Sequence, residues 1–500
     1  MAWSPRGAPH RAASASGAPV AVIDIGSNSV RLVAYDGLTR APAPVFNERA
    51  LCGLGRGLAD TGKLDAEGVA MAERAIARFA GIALSLDAEI VDVVATAAVR
   101  EAENGRAFVE RVEKTCGLKV RILSGEEEAR TSALGVLAGT PGADGLMGDL
   151  GGGSLEIVEL AKGGPGRAAT FPLGSLRLKK ANDDDQREAI EKTLRAEAWL
   201  DDRPNRTFYA VGGSWRALAR LHIAQHEYPL RIIHNYVMSR DAAESLTRVV
   251  ARMGPASLER IRDVPRRRVE TLPATALTLQ CLLKVAKPRE VVFSAYGVRE
   301  GLLFNRLSDA QRREDPLLAA CRALAERDNR GADADLLHEW LSPAFAKESP
   351  EESRLRHAAC IVRDIAWRAH PDYRAEYAFR NIIYAPFVGI DHPGRVFLAL
   401  AVHARYEGRL ETDVAEPYRA LIDEDAVRRA RTVGLAVRLA NNITANARYL
   451  VGAARLELGG DRLVLRLNSK GRKLLGDPVH RRLAALAKAL GKRPHILDFK

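Results

Sequence analysis

Short apolar runs alternate with segments of helical periodicity along the first part of the chain. The runs 19–25, 89–95, 119–123 and 145–150 have the length and residue types of buried strands. Between them, apolar residues recur at helical spacing. We predict helices over 65–85, 104–116 and 126–137, the first capped by Asp65.

Predicted strands and helices continue to alternate up to about residue 308. A β-rich stretch at 150–172 precedes a predicted helix at 185–199, and strand-turn-helix patterns follow at 208–221 and 291–304. Strands that alternate with helices predict an α/β fold. Beyond residue 308 the chain becomes rich in Ala and Arg with helical spacing, until 455–467 alternates like a hairpin.

An internal repeat organises the α/β part. The segments 22–33 and 147–158 match without a gap at a constant offset of 125, with Asp, Gly and Ser at the same places. Such a repeat indicates two similar domains that face one another across a cleft. We therefore divide the chain into a disordered tail at 1–18, domains at 19–143 and 144–308, and a helical C-terminal domain at 309–500.

Charge adds a separate clue. The 500 residues contain 75 Lys and Arg against 63 Asp and Glu, a formal net charge of +12. Residues 441–500 alone contain thirteen Lys and Arg against four Asp and Glu, so most of the excess lies at the C-terminal end. A basic region of this kind suits a polyanionic partner.

Cysteine usage and hydropathy bear on location. The five cysteines lie at least 39 residues apart and form no C-x-x-C pair, which argues against zinc ribbons and disulfide frameworks. No run of eighteen apolar residues occurs, and residues 1–18 lack the apolar core of a signal peptide. We expect a cytoplasmic protein without a membrane span.

The repeated turns carry the candidate chemistry. In the second repeat, a strand ends in Asp149, the glycine turn Gly151–Gly152–Gly153 follows, and Ser154 and Glu156 come next. Successive backbone N–H groups in a glycine turn can bind an anion, and two carboxylates beside it are the ligands that Mg²⁺ takes. A single Gly-Gly-Gly turn is also typical of an ordinary hairpin; two matched copies with flanking acids favour phosphate chemistry.

Two further candidates lie between the turns. Glu126, Glu127 and Glu128 begin a predicted helix, where acids stabilise the helix dipole but could also take a proton from water. Arg100 follows the strand at 89–95, and it is equally compatible with phosphate binding and with an ordinary surface position.

Taken together, these motifs resemble the exopolyphosphatase / guanosine pentaphosphate phosphohydrolase family, within the acetate and sugar kinase, heat-shock chaperone and actin superfamily. The resemblance covers residues 20–305 and rests on the two glycine turns, 95–104, 124–129, 212–214 and 296–301. It implies two ribonuclease-H-like domains flanking a cleft, a helical C-terminal domain, and Mg²⁺-dependent hydrolysis of the terminal phosphoanhydride of polyphosphate.

The resemblance also implies roles for individual residues. Glu128 is similar to the general base of the family, with Glu127 as the second choice, and Arg100 to a phosphate-binding arginine. Asp149 and Glu156 are similar to the metal-binding acids. The expected phosphate-binding residues are Asp24, Gly26, Ser27, Asn28, Ser29, Gly151, Gly152, Gly153, Ser154, Gly213, Ser214 and Arg299.

Two stretches depart from the family pattern or carry no assigned role. Arg363 stands where a C-terminal domain of the His-Asp phosphohydrolase type would have a metal-binding His, so this domain is expected to be a degenerate one. The run 266–268 consists of three arginines, and we predict that it is a solvated surface run.

The favoured function is therefore that of an exopolyphosphatase. We expect a homodimer whose basic C-terminal region helps to bind the polyphosphate chain. Truncation at residue 440 should then impair long substrates more than short ones. Guanosine pentaphosphate hydrolysis and phosphate transfer to ADP are the alternatives, and a non-catalytic sensor is a third. Nucleic-acid binding is disfavoured, because only 6% of residues are aromatic and they do not interleave with the basic residues.

Overall fold

The computed structural model describes residues 17–161, 164–178, 184–261, 264–327, 331, 333–410, 413–444 and 452–498. The predicted tail at 1–18 lies almost entirely outside these residues. The chain forms two compact units, one ending at Glu314 and the other beginning at Asp315. No helix within the described ranges has an apolar stretch long enough to cross a membrane.

The first unit contains two mixed sheets with helices packed against them. Its strands are β1 Val20–Ile25, β2 Ser29–Tyr35, β3 Pro44–Leu51, β4 Ile90–Ala95, β5 Val120–Ile122, β6 Gly145–Leu150, β7 Leu155–Ala161, β8 Gly164–Phe171, β9 Thr207–Val211, β10 Tyr236–Ser239 and β11 Glu290–Phe293. Its helices are α1 Leu58–Thr61, α2 Ala66–Ser85, α3 Ala97–Glu101, α4 Gly105–Cys116, α5 Gly125–Gly139, α6 Asp184–Arg195, α7 Trp215–Gln225, α8 Arg240–Val250, α9 Pro255–Glu259, α10 Leu272–Ala286, α11 Val298–Arg306 and α12 Asp309–Arg313. Short 3-10 turns lie at Ala198–Leu200 and Arg266–Arg268.

The predicted α/β class is confirmed, and the predicted elements recur within a few residues. The first sheet has the strand order β3-β2-β1-β4-β5, and the second has the order β10-β11-β9-β6-β7-β8. In each sheet the repeated segment forms an antiparallel pair, β1 with β2 and β6 with β7. Asp65 caps α2 as expected, because its carboxylate accepts a hydrogen bond from the backbone N–H of Gly68 at 2.7 Å.

Two helices cross between the sheets. Buried residues of α5 pack with Met147 and Val158 of the second sheet, whereas Leu302 and Leu303 of α11 pack with Val22 of the first. Each helix therefore covers the sheet of the other predicted domain. The sequence predicts both helices, but not which sheet each of them covers. The predicted boundary near residue 143 itself stays a prediction.

The second unit is mainly helical and carries one small sheet. Its helices are α13 Pro316–Glu326, α14 Ala334–Leu341, α15 Pro350–Val362, α16 Arg374–Ile383, α17 His392–Glu407, α18 Glu424–Thr444, α19 Ser469–Arg472 and α20 Asp477–Ala489, with 3-10 turns at Ser342–Phe345, Pro371–Tyr373 and Glu416–Leu421. Its strands are β12 Ala454–Gly459, β13 Arg462–Leu467 and β14 Arg493–Asp498. The predicted hairpin is β12 and β13, and β14 joins β13 in parallel.

Candidate active site

The two repeated turns have the same backbone structure. The amide of Gly26 donates to the carbonyl of Ser29 at 3.1 Å, and the amide of Gly151 donates to the carbonyl of Ser154 at 3.0 Å. The strand registers also correspond at the offset of 125, because Asp24 lies opposite Arg31 and Asp149 lies opposite Glu156. The repeat seen in the sequence is thus a repeat in three dimensions.

The turns meet at one cleft with a volume of about 170 Å³. A Cβ atom on Gly153 would lie only 3.2 Å from the hydroxyl oxygen of Ser27, so the turns are close neighbours across this cleft. The structure brings most of the predicted site residues to its wall: Asp24, Gly26, Ser27, Asn28, Ser29, Glu128, Asp149, Gly151, Gly152, Gly153, Ser154, Gly213, Ser214 and Arg299.

A segment that the sequence analysis overlooked supports the second turn. The amides of Ser175 and Leu176 donate to the carbonyls of Gly151 and Gly152 at 3.1 and 2.9 Å. A Cβ atom on Gly174 would overlap the backbone of Gly152 and Gly153, so only glycine allows this close approach. These bonds fix the peptide planes of the turn.

Glu127 and Glu128 have different environments although they are adjacent. The carboxylate of Glu127 accepts from the backbone N–H of Ser124 at 2.8 Å, which completes a capping box at the start of α5 and lowers its pKa. Glu128 is 9% exposed and lines the cleft. Geometry thus places Glu128, and not Glu127, beside the turns.

Arg100 lies behind the cleft wall and binds Glu128. Its guanidinium donates to the Glu128 carboxylate at 2.9 Å and to the carbonyl of Leu123 at 2.8 Å. Burial raises the pKa of Glu128 to about 7, while the bond from Arg100 opposes this rise. A carboxyl group with such a pKa can exchange a proton near neutral pH.

Asp149 and Glu156 face the same side of the second sheet, as directly opposite residues of an antiparallel pair do. Burial raises the pKa of both, and the neighbouring carboxylate of Glu128 raises that of Glu156 further. Glu156 is 1% exposed and lies beneath the cleft floor, where its Oε1 atom has no hydrogen-bond partner among the described residues.

These two acids fit a Mg²⁺ ion. Within the described ranges, no three His, Cys, Asp or Glu side chains are grouped to hold a metal by themselves. Mg²⁺ in phosphate sites commonly uses one or two carboxylates and completes its shell with water and substrate oxygens. The unpartnered Oε1 of Glu156 and the raised pKa values of both acids are the signs of a site that a cation would stabilise.

The first repeat differs from the second in the charges around its aspartate. The carboxylate of Asp24 accepts from the guanidinium of Arg299 at 3.2 Å, and its register partner is Arg31 instead of an acid. Burial opposes ionisation of Arg299, but Glu300 and Asp24 raise its pKa and keep it charged. The cleft therefore has an acidic wall at Asp149 and an arginine at the facing turn.

A second cavity, of about 300 Å³, adjoins the cleft and shares four wall residues with it. We call it the arginine pocket, because its wall contains Arg31, Arg49, Arg216, Arg220 and Arg268 and none of its described lining residues is acidic. Burial and then neighbouring guanidiniums lower the pKa of Arg31 and of Arg216 to about 10. Anions would relieve this repulsion.

Most of this pocket has no signal in the sequence, and the prediction for one of its residues is wrong. Arg268 is not part of a solvated surface run: its guanidinium donates to the hydroxyl of Ser214 at 3.0 Å and lines both cavities. The signal for Arg216 was its place two residues after the turn 212–214, at the start of α7. Arg49 lies on β3 and gave no local signal.

In the second unit, Arg363 is part of a buried ionic network. It donates to Asp333 at 2.6 Å, and Asp364 accepts from Arg405 at 2.6 Å. Position 363, where a His-Asp phosphohydrolase domain would have a metal-binding His, therefore holds a guanidinium between carboxylates.

Fold and site define the class of the protein: two mixed sheets with matching glycine turns, which line a cleft of about 170 Å³ between acids and arginines. The chain belongs to the Ppx/GppA phosphatase family, whose sequence model matches residues 32–310. A second family model, described as exopolyphosphatase, C-terminal, matches residues 318–497.

Two curated proteins illustrate the similarity in sequence. Exopolyphosphatase 1 of Mycobacterium bovis is 28% identical over 301 residues, which cover 57% of this chain and 87% of that protein. Retrograde regulation protein 2 of Saccharomyces cerevisiae is 27% identical over 358 residues, covering 64% of this chain and 59% of that protein.

Solved structures show the same fold over more than half of the chain. The crystal structure of the Aquifex aeolicus member of the Ppx/GppA family is 25% identical, with a TM-score of 0.50, covering 57% of this chain and 96% of that one. An exopolyphosphatase from Cytophaga hutchinsonii is 22% identical, with a TM-score of 0.53, covering 57% of this chain and 97% of that one.

Proposed function

We propose that the protein is an Mg²⁺-dependent exopolyphosphatase, which releases orthophosphate from the end of a linear polyphosphate chain. The observation that carries the proposal is the continuity of the cleft with the arginine pocket through shared wall residues. A terminal phosphate in the cleft would leave the next phosphates beside five guanidiniums. The relatives named exopolyphosphatase support the same substrate.

The residues at the cleft supply the steps of a hydrolysis. Glu128 takes a proton from a water molecule, whose oxygen attacks the terminal phosphorus as the bridging P–O bond breaks. The shortened chain leaves with the bridging oxygen and its negative charge, and orthophosphate is released. Backbone amides of both turns, together with Arg299, stabilise charge on the phosphate oxygens. Arg100 holds the Glu128 carboxylate in place through its 2.9 Å bond.

Asp149 and Glu156 would hold the Mg²⁺ ion. When bound, the ion would neutralise charge on the phosphate oxygens, as it does in other phosphoryl-transfer sites. Removal of divalent cations with a chelator should therefore abolish phosphate release, and added Mg²⁺ should restore it.

The decisive experiment measures phosphate release from long polyphosphate by the intact protein. We expect Glu128→Ala and Asp149→Ala to lower kcat by about 10²-fold or more, the range for a general base or an electrostatic group. Glu126→Ala is the matched control, because Glu126 lies in the same first turn but pairs with Arg130 at the surface. Undiminished activity in either cleft variant would refute the role given to that residue.

The arginine pocket gives a second test. Arg31→Gln and Arg220→Gln should raise KM for polyphosphate, because each removes a positive charge from the wall. Arg111→Gln, on an exposed helix face paired with Glu73, should leave KM unchanged. An unaltered KM in both pocket variants would show that polyphosphate does not bind in the arginine pocket.

A nucleotide with phosphates on both sides of its ribose is the second candidate. Guanosine pentaphosphate could place its terminal phosphate in the cleft and its other phosphate group in the arginine pocket, whose separate volume favours this arrangement. Mixing both substrates in one assay gives the ratio of their kcat/KM values. Including ADP and looking for ATP tests the transferase alternative in the same experiment.

Two expectations about the whole molecule remain proposals. The protein would be a cytoplasmic homodimer; light scattering after size-exclusion chromatography measures its mass directly. Its cysteines suit a reducing compartment, because all five are free and only Cys116 is not fully buried.

A further inference from the structure

Ser132 lies on α5, one helical turn after Glu128, and makes an unusual hydrogen bond. It is fully buried, and its hydroxyl donates to the Oδ2 atom of Asp149 at 2.5 Å. Buried hydroxyls on helices commonly bond to their own backbone four residues earlier. Thr278 of α10 does this, donating to the carbonyl of Ala274 at 2.9 Å. The bond of Ser132 instead leaves its helix and reaches a strand.

Two glycines lie close to the carboxylate of Asp149. A Cβ atom on Gly212 would lie 3.0 Å from Oδ1, and one on Gly297 would lie 3.7 Å from Oδ2. A side chain at position 212 would crowd Oδ1, whereas position 297 lies at ordinary van der Waals distance from Oδ2. Ser132 supplies a hydrogen bond to Oδ2, which selects one orientation of the carboxylate.

We propose that Ser132 is a positioning residue, which orients Asp149 for the divalent cation and fixes its distance from Glu128. The inference rests on the proposed function, because it assumes that Asp149 binds the cation. One rigid helix carries both the base and the group that holds the metal-binding acid, so the two are positioned together. Ser132 touches neither substrate nor cation; it acts through Asp149.

The test measures metal binding directly. Mn²⁺, a paramagnetic probe for Mg²⁺ sites, is titrated into the intact protein without substrate, and free Mn²⁺ is followed by electron paramagnetic resonance. We expect Ser132→Ala to weaken Mn²⁺ binding by about tenfold or more, as loss of an orienting partner does in other metal sites. Ser132→Thr restores the hydroxyl and should recover most of the affinity.

Controls separate positioning from stability. Thr278→Val also removes a buried helical hydroxyl from the first unit, and it should leave Mn²⁺ binding unchanged. Wild-type affinity in Ser132→Ala overturns the proposal. If that variant does not fold, Ser132→Cys keeps the volume with a weaker donor and should give the same loss; unaltered affinity there also overturns it.

The outcome is distinguishable from failure of the proposed function. A wild-type protein that binds Mn²⁺ but releases no phosphate from polyphosphate would refute the exopolyphosphatase assignment and leave the role of Ser132 intact. A wild-type protein that binds no Mn²⁺ would overturn the role of Ser132, whatever its activity.

Discussion

Two opposed influences act on the pKa of the single residue Glu128. Burial raises the pKa of its carboxyl group to about 7, and Arg100 opposes that rise. Only the ionised carboxylate can accept a proton from water. Since kcat/KM reports the pKa values of the free enzyme, kcat/KM should rise with pH through about 7 and fall as the carboxyl group becomes protonated below it.

Arg100→Gln tests this directly. Without the guanidinium the pKa of Glu128 should rise further, so the acid limb of the pH–rate profile should move to higher pH. Arg106→Gln, on the exposed face of α4, should not move it. A limb that stays in place or moves to lower pH in Arg100→Gln would contradict the assigned contact.

Some residues of the candidate site could be predicted from the sequence, and others could not. The glycine turns and Asp149 were predictable, because their spacing repeats and each residue type has a direct chemical reason. The choice between Glu127 and Glu128 depends on which carboxylate reaches back to Ser124, a matter of side-chain rotamers. Gly174 and Arg268 are brought to the cleft by distant segments, so no local pattern marks them.

At the level of secondary-structure elements, α5 and α11 cross in close contact in the first unit. A Cβ atom on Gly301 would overlap the carbonyl oxygen of Thr131, and one on Gly135 would overlap that of Gly297. The backbones are therefore in direct contact, and α5 carries both Glu128 and Ser132. Disturbing the crossing should displace the site as well as lower stability.

Gly301→Ala should lower the free energy of unfolding by about 1–3 kcal/mol, the usual cost of overpacking, and reduce kcat with it. Gly81→Ala is the matched control at an exposed position of α2, where nothing lies within 4 Å of the added methyl group. There, the free energy of unfolding should rise by about 0.5–1 kcal/mol. Urea denaturation of both variants gives the comparison; equal effects would mean that the crossing is not tight.

The sequence predicted some strands and missed others. The strands β1, β2, β6 and β7 were predictable because an internal repeat fixes their pairing. β14 was missed because it contains Pro494 and pairs with β13 only after α20 has intervened. Similarly, β10 has four residues and takes its place from β11, far along the chain.

For the molecule as a whole, the excess positive charge has a defined location. Lys470, Lys473, Arg481 and Lys488 are exposed on and near α19 and α20, next to the small sheet of the second unit. Truncation at 440 would cut through α18, which packs against α20, so it would damage the fold along with the charge. Substitution at the surface is the cleaner experiment.

Changing these four residues to Gln should raise KM for long polyphosphate and flatten its dependence on salt, while leaving tripolyphosphate unaffected. Each lost phosphate contact lowers the salt slope by about one. A variant with Gln at Arg74, Arg106, Lys114 and Lys192 loses the same charge from the first unit and should not change the slope. Equal effects of both variants would indicate that net charge alone matters.

The paired turns have a consequence for the ancestry of this chain. Two copies of one strand-turn-strand unit, equal in backbone and in register, are what duplication of a single ancestral unit leaves. Two identical chains around such a cleft would have to change together, because a substitution in one would appear in the other. Within one chain the two copies can differ, and the register partners of the two aspartates have opposite charges: Arg31 on one side and Glu156 on the other.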